Sequence, residues 1–75
     1  MFSALITFRV WIRKYRKEET PRGDLARDMY ADWRFPTKND YQTIQHYLDI
    51  ERHATYNVLK VFYLAWRDYE EEMMS

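Results

Sequence analysis

The residues that break helices constrain the fold of this chain more than any other feature of its sequence. Its only glycine, Gly23, and its two prolines, Pro21 and Pro36, interrupt a sequence that otherwise has helical apolar spacing. Pro21 suits the first turn of a helix, where a missing N–H costs nothing. Pro36 disfavours the helical conformation at Phe35 and is expected to end a helix there. A loop near residues 18–23 and a helix boundary near residue 35 are therefore predicted.

Apolar residues recur every three or four positions on both sides of these breaks, as they do on one face of an α-helix. The sequence contains no alternating strand pattern and no internal repeat, so we predict one all-α domain over residues 1–75. Its four helices are predicted at residues 4–16, 23–34, 39–48 and 55–72. Residues 49–53 lose the pattern and are expected to connect the last two helices. The last helix is the longest and should be the spine of the core.

Each predicted helix has one apolar stripe that should face the core. The stripes comprise Leu5, Phe8, Trp11, Ile12 and Tyr15 in the first helix, Leu25, Ala26, Met29, Tyr30 and Trp33 in the second, Tyr41, Ile44, Tyr47 and Leu48 in the third, and Val58, Leu59, Phe62, Ala65, Trp66, Tyr69 and Met73 in the fourth. Aromatic residues make up 19% of the chain. Because large rings bury about 150–250 Å² each, a few of them can fill the interior of a chain this short.

The starts of two helices stay open at the level of sequence. The second helix can begin with Thr20 as its N-cap and Pro21 in its first turn, or it can begin at Asp24. The third helix can begin at Thr37 or at Asn39, each with a partner three residues later as in a capping box. Either start of the third helix gives the same buried face.

Four short motifs follow one another along the chain. They are Gly23-x-Leu25-Ala26, Asp32-x-x-Phe35-Pro36, Asp40-Tyr41-x-x-Ile44-x-x-Tyr47-Leu48 and Phe62-x-x-Ala65-Trp66-x-Asp68-Tyr69. In this order and spacing they resemble the YozE-like family of short, mostly uncharacterised proteins from Gram-positive bacteria, over about residues 8–69. The resemblance implies a compact four-helix arrangement similar to SAM domains. Nucleic-acid binding is suggested for the family by similarity of fold, and the resemblance carries over no catalytic or ligand-binding residue.

Charge is balanced over the whole chain but not along it. The 12 basic and 12 acidic side chains cancel, so no global field draws the protein to nucleic acid or to an anionic membrane. Cations concentrate on one flank of the first predicted helix and could neutralise phosphates, which is the first functional hypothesis: salt-dependent nucleic-acid binding. The residues of this predicted basic face are Arg9, Arg13, Lys14, Arg16 and Lys17.

Two alternatives to this hypothesis stay open. Arg13 and Lys17 can simply face the acidic residues 70–72, within the fold or across a dimer. A protein-interaction module, homotypic or with another partner, is the second hypothesis, because apolar side chains among charges can form the centre of an interface. The apolar residues predicted to be exposed in this way are Ile6, Val10 and Leu64. Such a protein is expected to be a monomer or a weak homodimer.

Catalysis, metal binding and cofactors are not expected. The only serines are Ser3 and Ser75, near the chain ends, and there is no cysteine, so a nucleophile placed by a base is not evident. His46 and His53 lack the spacing of a zinc site. No small-molecule substrate is indicated either.

The acidic ladder Asp24, Asp28 and Asp32 is also expected to be a solvated face. Steps of four residues rise about 6 Å along a helix, which is too far for three carboxylates to share one cation. Residues 1–12 are fairly apolar, but they include Arg9 and fall short of the roughly 20 residues that a membrane span needs. The absence of cysteine suits a reducing compartment, so a cytoplasmic location is expected.

Overall fold

The computed structural model describes residues 6–74, which form four helical segments around one core. The segments are α1 (Phe8–Ile12, continued by a 3₁₀ turn over Arg13–Tyr15), α2 (Pro21–Ala31), α3 (Tyr41–His46, continued by a π-helical turn over Tyr47–Glu51) and α4 (Tyr56–Met74). The predicted all-α fold of four helices is confirmed, and no described residue lies in a strand. With 19 residues, α4 is the longest helix, as predicted.

α1 begins at Phe8, later than predicted, because Thr7 caps it. The backbone of Thr7 is extended, and its side-chain oxygen accepts a hydrogen bond from the N–H of Val10 at 3.2 Å. The N–H of Phe8 donates to Oδ1 of Asn39 at 2.9 Å, which ties this helix start to the segment before α3. Leu5, predicted to belong to the core, lies outside the described residues.

α2 begins at Pro21, so of the two starts left open the one capped by Thr20 is correct. The side-chain oxygen of Thr20 accepts a hydrogen bond from the N–H of Gly23 at 3.0 Å, and Pro21 occupies the first turn. This satisfies a backbone donor that has no partner within the helix.

α2 ends at Ala31, three residues earlier than predicted, because the Asp32 side chain competes with the helix. Oδ1 of Asp32 accepts a hydrogen bond from the N–H of Arg34 at 3.0 Å, and the Asp32 backbone is extended. The chain therefore turns before Pro36 is reached. Trp33, beyond the end of the helix, is 85% exposed, and Tyr30, in the last turn of α2, is 53% exposed, so their prediction as core residues is wrong.

Asp40, rather than Thr37 or Asn39, is the N-cap of α3. Its Oδ2 accepts hydrogen bonds from the N–H and the hydroxyl of Thr43 at 2.9 and 2.8 Å. These two hydrogen bonds lower the pKa of the Asp40 carboxyl. Asn39 is not available as a cap because its side chain already accepts from the N–H of Phe8.

The segment predicted to connect the last two helices is mostly helical. The π-helical turn continues α3 to Glu51, with the N–H of Arg52 donating to the carbonyl of Tyr47 at 3.1 Å. The helix then ends near His53, whose positive φ of 52° reverses the chain direction. The true connection is thus residues 52–55, shorter than predicted.

Aromatic rings from α1, α3 and α4 meet in the core. The buried residues are Phe8, Trp11, Ile12, Leu25, Ala26, Met29, Phe35, Ile44, Leu48, Phe62, Ala65, Trp66 and Tyr69. The Phe8 ring lies 5.4 Å from that of Phe62 and 5.1 Å from that of Trp66, between ring centroids. Val58, predicted to face the core, is 37% exposed. Within residues 6–74 no helix is both apolar enough and long enough to cross a bilayer.

Candidate nucleic-acid interface

Arg9, the first cation of the predicted basic face, closes the end of α2. Its Nε donates to the carbonyl of Met29 at 3.3 Å, and its Nη2 donates to the carbonyl of Asp32 at 2.9 Å. Its guanidinium also lies 5.7 Å from the ring centroid of Phe35. A cation at the carbonyl end of a helix stabilises that end. Arg9 therefore has a role in the fold, and its side chain is partly buried.

Lys14 pairs with the acidic end of α4. Its Nζ lies 3.0 Å from Oε1 and 3.2 Å from Oε2 of Glu72. The neighbouring Trp11 indole and the hydrogen bonds from Lys14 lower the pKa of the Glu72 carboxyl. Contact between the first helix and residues 70–72 was expected through Arg13 or Lys17. Each residue of the 3₁₀ turn advances about 120° around the helix axis. This rotation contributes to directing Lys14, instead of Arg13 or Lys17, toward the acidic end of α4.

Arg13 and Arg16 lie over the same exposed ring. Their guanidinium carbons are 4.8 and 5.9 Å from the ring centroid of Tyr30. Nη1 of Arg16 donates to the carbonyl of Arg13 at 3.1 Å, whereas Nε of Arg13 is buried and has no hydrogen-bond partner among the described residues. Neither guanidinium pairs with a carboxylate in that part of the chain. Most of their five donors each are therefore available to an anion.

Lys17 and Arg27 flank this pair of guanidinium groups. Lys17 is exposed and makes no hydrogen bond or ion pair within residues 6–74. Nη1 of Arg27 donates to the carbonyls of Arg16 and Glu18 at 2.7 and 2.9 Å, and its Nη2 pairs with Asp24. Arg27 thus fastens the loop after α1, and its charge is neutralised locally. We define the basic face as Arg13, Arg16 and Lys17.

The family model described as YozE SAM-like fold matches residues 7–71, which is most of the chain and includes the whole basic face. The chain belongs to the YozE SAM-like family. A search of curated proteins and a search of solved structures each found no match. The family match supports the fold without giving any residue a role.

The apolar residues predicted to form a protein interface are exposed in this YozE SAM-like chain, but two of them line separate depressions. Ile6, Val10 and Leu64 are 36%, 48% and 46% exposed, and of the three Val10 and Leu64 line depressions. Val10 lines a depression beside the segment before α3. Leu64 lines a groove of about 440 Å³ between α2 and α4, together with Val58 and Val61. The groove explains why Val58 is exposed, since α2 does not cover that part of α4.

The three aspartates of the acidic ladder end in different surroundings. Asp24 pairs with Arg27, and Asp28 lines the groove between α2 and α4. Asp32 accepts from the Tyr47 hydroxyl at 2.5 Å and from Nη1 of Arg52 at 3.1 Å. Within residues 6–74 no three carboxylate or imidazole groups come together as a metal site.

The hydrogen bonds of Asp32 also set its charge state. Burial opposes ionisation of this carboxyl, but the hydrogen bonds from Tyr47 and from the N–H of Arg34, with the charge of Arg52, outweigh it and lower the pKa. The hydrogen bond between Tyr47 and Asp32 also raises the pKa of the Tyr47 hydroxyl. An ionised Asp32 therefore joins the end of α2 to the turn after α3.

Sequence reasoning identified the cations of the basic face but missed its aromatic partner. Tyr30 follows the same three- and four-residue spacing as the buried residues of α2, so periodicity alone assigns it to the core. The sequence signal that could have indicated its exposure is Asp32, two residues later, because an aspartate side chain favours a turn.

Proposed function

We propose that this protein is a small, non-catalytic module that binds nucleic acid through Arg13, Arg16 and Lys17. The observation that supports it best is the pair of guanidinium groups over the Tyr30 ring without a carboxylate partner among the described residues. Packing on a ring restricts a guanidinium before any ligand binds, so less conformational entropy is lost when it meets a phosphate. A cytoplasmic location, which the absence of cysteine permits, is part of the proposal.

Binding of this kind depends mainly on charge and hence on salt. With zero net charge on the chain, attraction comes from the local face alone. Three phosphate contacts give a slope of log affinity against log salt of roughly −2 to −3. Affinity should therefore fall about 16- to 64-fold between about 50 and 200 mM salt.

The test is fluorescence anisotropy of labelled DNA and RNA oligonucleotides over a salt series. The double variant R13Q/R16Q should weaken binding and reduce the magnitude of the salt slope by about 2, because each lost phosphate contact removes about one unit. Circular dichroism should show that the variant keeps its helices, since neither side chain is fully buried.

A matched control changes the same amount of charge on another surface. Lys60 and Arg67 are exposed on α4, and neither forms an ion pair within the described residues. The variant K60Q/R67Q should bind like the unmodified protein. The proposal is wrong if no oligonucleotide binds at about 50 mM salt, or if the two double variants lose affinity equally.

The groove between α2 and α4 favours a second candidate, a protein-interaction module. Leu64, Val58 and Val61 present apolar surface there, and Asp24 and Asp28 stand at its edge. An apolar centre with a polar rim is the usual anatomy of an interface.

The homotypic form of this candidate predicts concentration-dependent self-association that involves the groove. In sedimentation velocity, L64E should shift the protein toward the monomer, because it places a charge against the apolar groove. M74E is the control, since Met74 is also apolar and is 85% exposed outside the groove. A protein that stays monomeric at millimolar concentration, or equal effects of the two substitutions, would rule the homotypic form out.

A further inference from the structure

Trp33 is the most unusual side chain on the described surface. It is 85% exposed, whereas the other two tryptophans, Trp11 and Trp66, are 2% and 9% exposed. A large ring surrounded by water forgoes the burial that stabilises most tryptophans in folded proteins. Trp33 contributes little buried surface to the core, and its ring is accessible to a ligand.

The hydrogen bonds of Arg9 place the backbone of Trp33 beside α1, one helical turn before Arg13. Arg16 and Arg13 lie over Tyr30, and further back along α1, Arg9 reaches the carbonyl of Asp32 at 2.9 Å. That carbonyl carbon is bonded to the nitrogen of Trp33. Going back along the chain from Arg16 to Arg9 therefore corresponds to going from Tyr30, in the last turn of α2, to Trp33, just beyond its end.

The two exposed aromatic residues are close enough to serve one ligand. Tyr30 and Trp33 are three residues apart, so their Cα atoms are separated by at most about 10 Å. The carboxylate between them, on Asp32, is occupied by Tyr47 and Arg52 and so is not free to repel an anion strongly. The surface thus combines cations with two water-exposed rings.

We propose that the ligand of this surface is single-stranded nucleic acid, with its phosphates on the guanidinium groups that Tyr30 holds and a base stacked on Trp33. This inference rests on the proposed function. Cations along the backbone with rings that stack on bases are the combination by which proteins hold single strands. In a duplex the faces of the bases are already stacked on one another, so the ring of Trp33 would gain nothing there.

Trp33 also provides the measurement. As the one strongly exposed indole among the three, it should dominate the long-wavelength part of the tryptophan emission, and a stacked base should quench it. A labelled 20-nucleotide single strand and a duplex with the same number of phosphates are titrated at about 50 mM salt. The single strand should bind more tightly and quench the emission.

Substitution of the ring separates stacking from charge. W33A should weaken single-strand binding about tenfold or more, in line with alanine substitutions at stacking sites, and leave duplex binding unchanged. Y56A is the matched control because Tyr56 is 78% exposed at the start of α4, and it should change neither affinity. The exposure of Trp33 means that W33A should melt at nearly the same temperature as the unmodified protein.

The possible outcomes separate the stacking inference from the proposed function. Equal affinity for single strand and duplex, with W33A neutral, overturns the stacking inference and leaves charge-based binding in place. Tighter binding of the duplex does the same. Failure of both oligonucleotides to bind overturns the inference together with the proposed function, and Trp33 would then be assigned to a protein interface.

Discussion

Cations that look equivalent on α1 have different partners because each meets a different part of the fold. Arg9 reaches the open carbonyl end of α2, and Lys14 reaches Glu72 on α4. Arg13 and Arg16 lie over a tyrosine ring and pair with no carboxylate among the described residues. Binding measurements therefore need substitutions confined to the basic face. Removal of Arg9 would open the end of α2 and mix a loss of stability with a loss of affinity.

Close contacts with neighbouring backbone explain why a glycine occupies position 23. A Cβ on Gly23 would overlap with the carbonyl oxygen of Glu18 and lie 3.0 Å from that of Tyr15. Replacing glycine by alanine in a helix ordinarily stabilises it by about 1 kcal/mol. Here the loop backbone must move away, so G23A should instead lower the free energy of unfolding, by about 1–3 kcal/mol as at other overpacked sites. Urea denaturation measures the change, and unchanged or increased stability would show that the loop moves freely.

At the scale of the helices, apolar spacing shows which face of a helix is buried but not where that helix or its neighbour begins and ends. It located all four helices, and the polar residues before α2 gave Thr20 as one of two possible starts, of which the structure has this one. It missed the end of α2 and the start of α3, because each depends on a hydrogen bond between a carboxylate and a backbone N–H. Asp32 accepts from the N–H of Arg34 at the end of α2, and Asp40 accepts from the N–H of Thr43 at the start of α3. It also could not show that Trp33 lies beyond the helix, in water.

The candidate site was predictable to the same extent. A concentration of cations on the first helix was visible in the sequence, and so was the acidic end of α4. The partners of individual cations were not, because they lie far away along the chain. Arg9 binds a carbonyl 20 residues on, and Lys14 binds a carboxylate 58 residues on. Such contacts depend on how helices pack, which periodicity within one helix does not determine.

Over the whole molecule, ionised carboxylates join elements that are distant in sequence. Asp32 joins the end of α2 to the turn after α3, and Glu72 joins α4 to α1. Asp40 starts α3. In each case these hydrogen bonds also lower the pKa of the carboxyl, so each carboxyl stabilises the native state more when it is charged than when it is protonated.

This dependence predicts how stability changes with pH. A carboxyl whose pKa is lowered on folding binds fewer protons in the native state than in the unfolded chain. Its contribution is fully present above the ordinary carboxyl pKa of about 4 and is lost as the pH falls through the lowered native value. These carboxyls should therefore change the urea midpoint little from about pH 7 to pH 5, and their protonation should decrease it below about pH 4.

Asp32 gives the sharpest test, because its carboxyl accepts from a tyrosine, an arginine and a backbone N–H. D32N should lower the urea midpoint at pH 7 and flatten its decrease below pH 4, since one proton-linked group is gone. The control is D68N, which removes an exposed carboxylate on α4 that has no hydrogen bond or ion pair in the described part of the chain. If the acid slopes of D32N and D68N coincide, Asp32 is not a source of the pH dependence. A midpoint that rises on acidification would contradict the sign of the linkage for all three carboxylates.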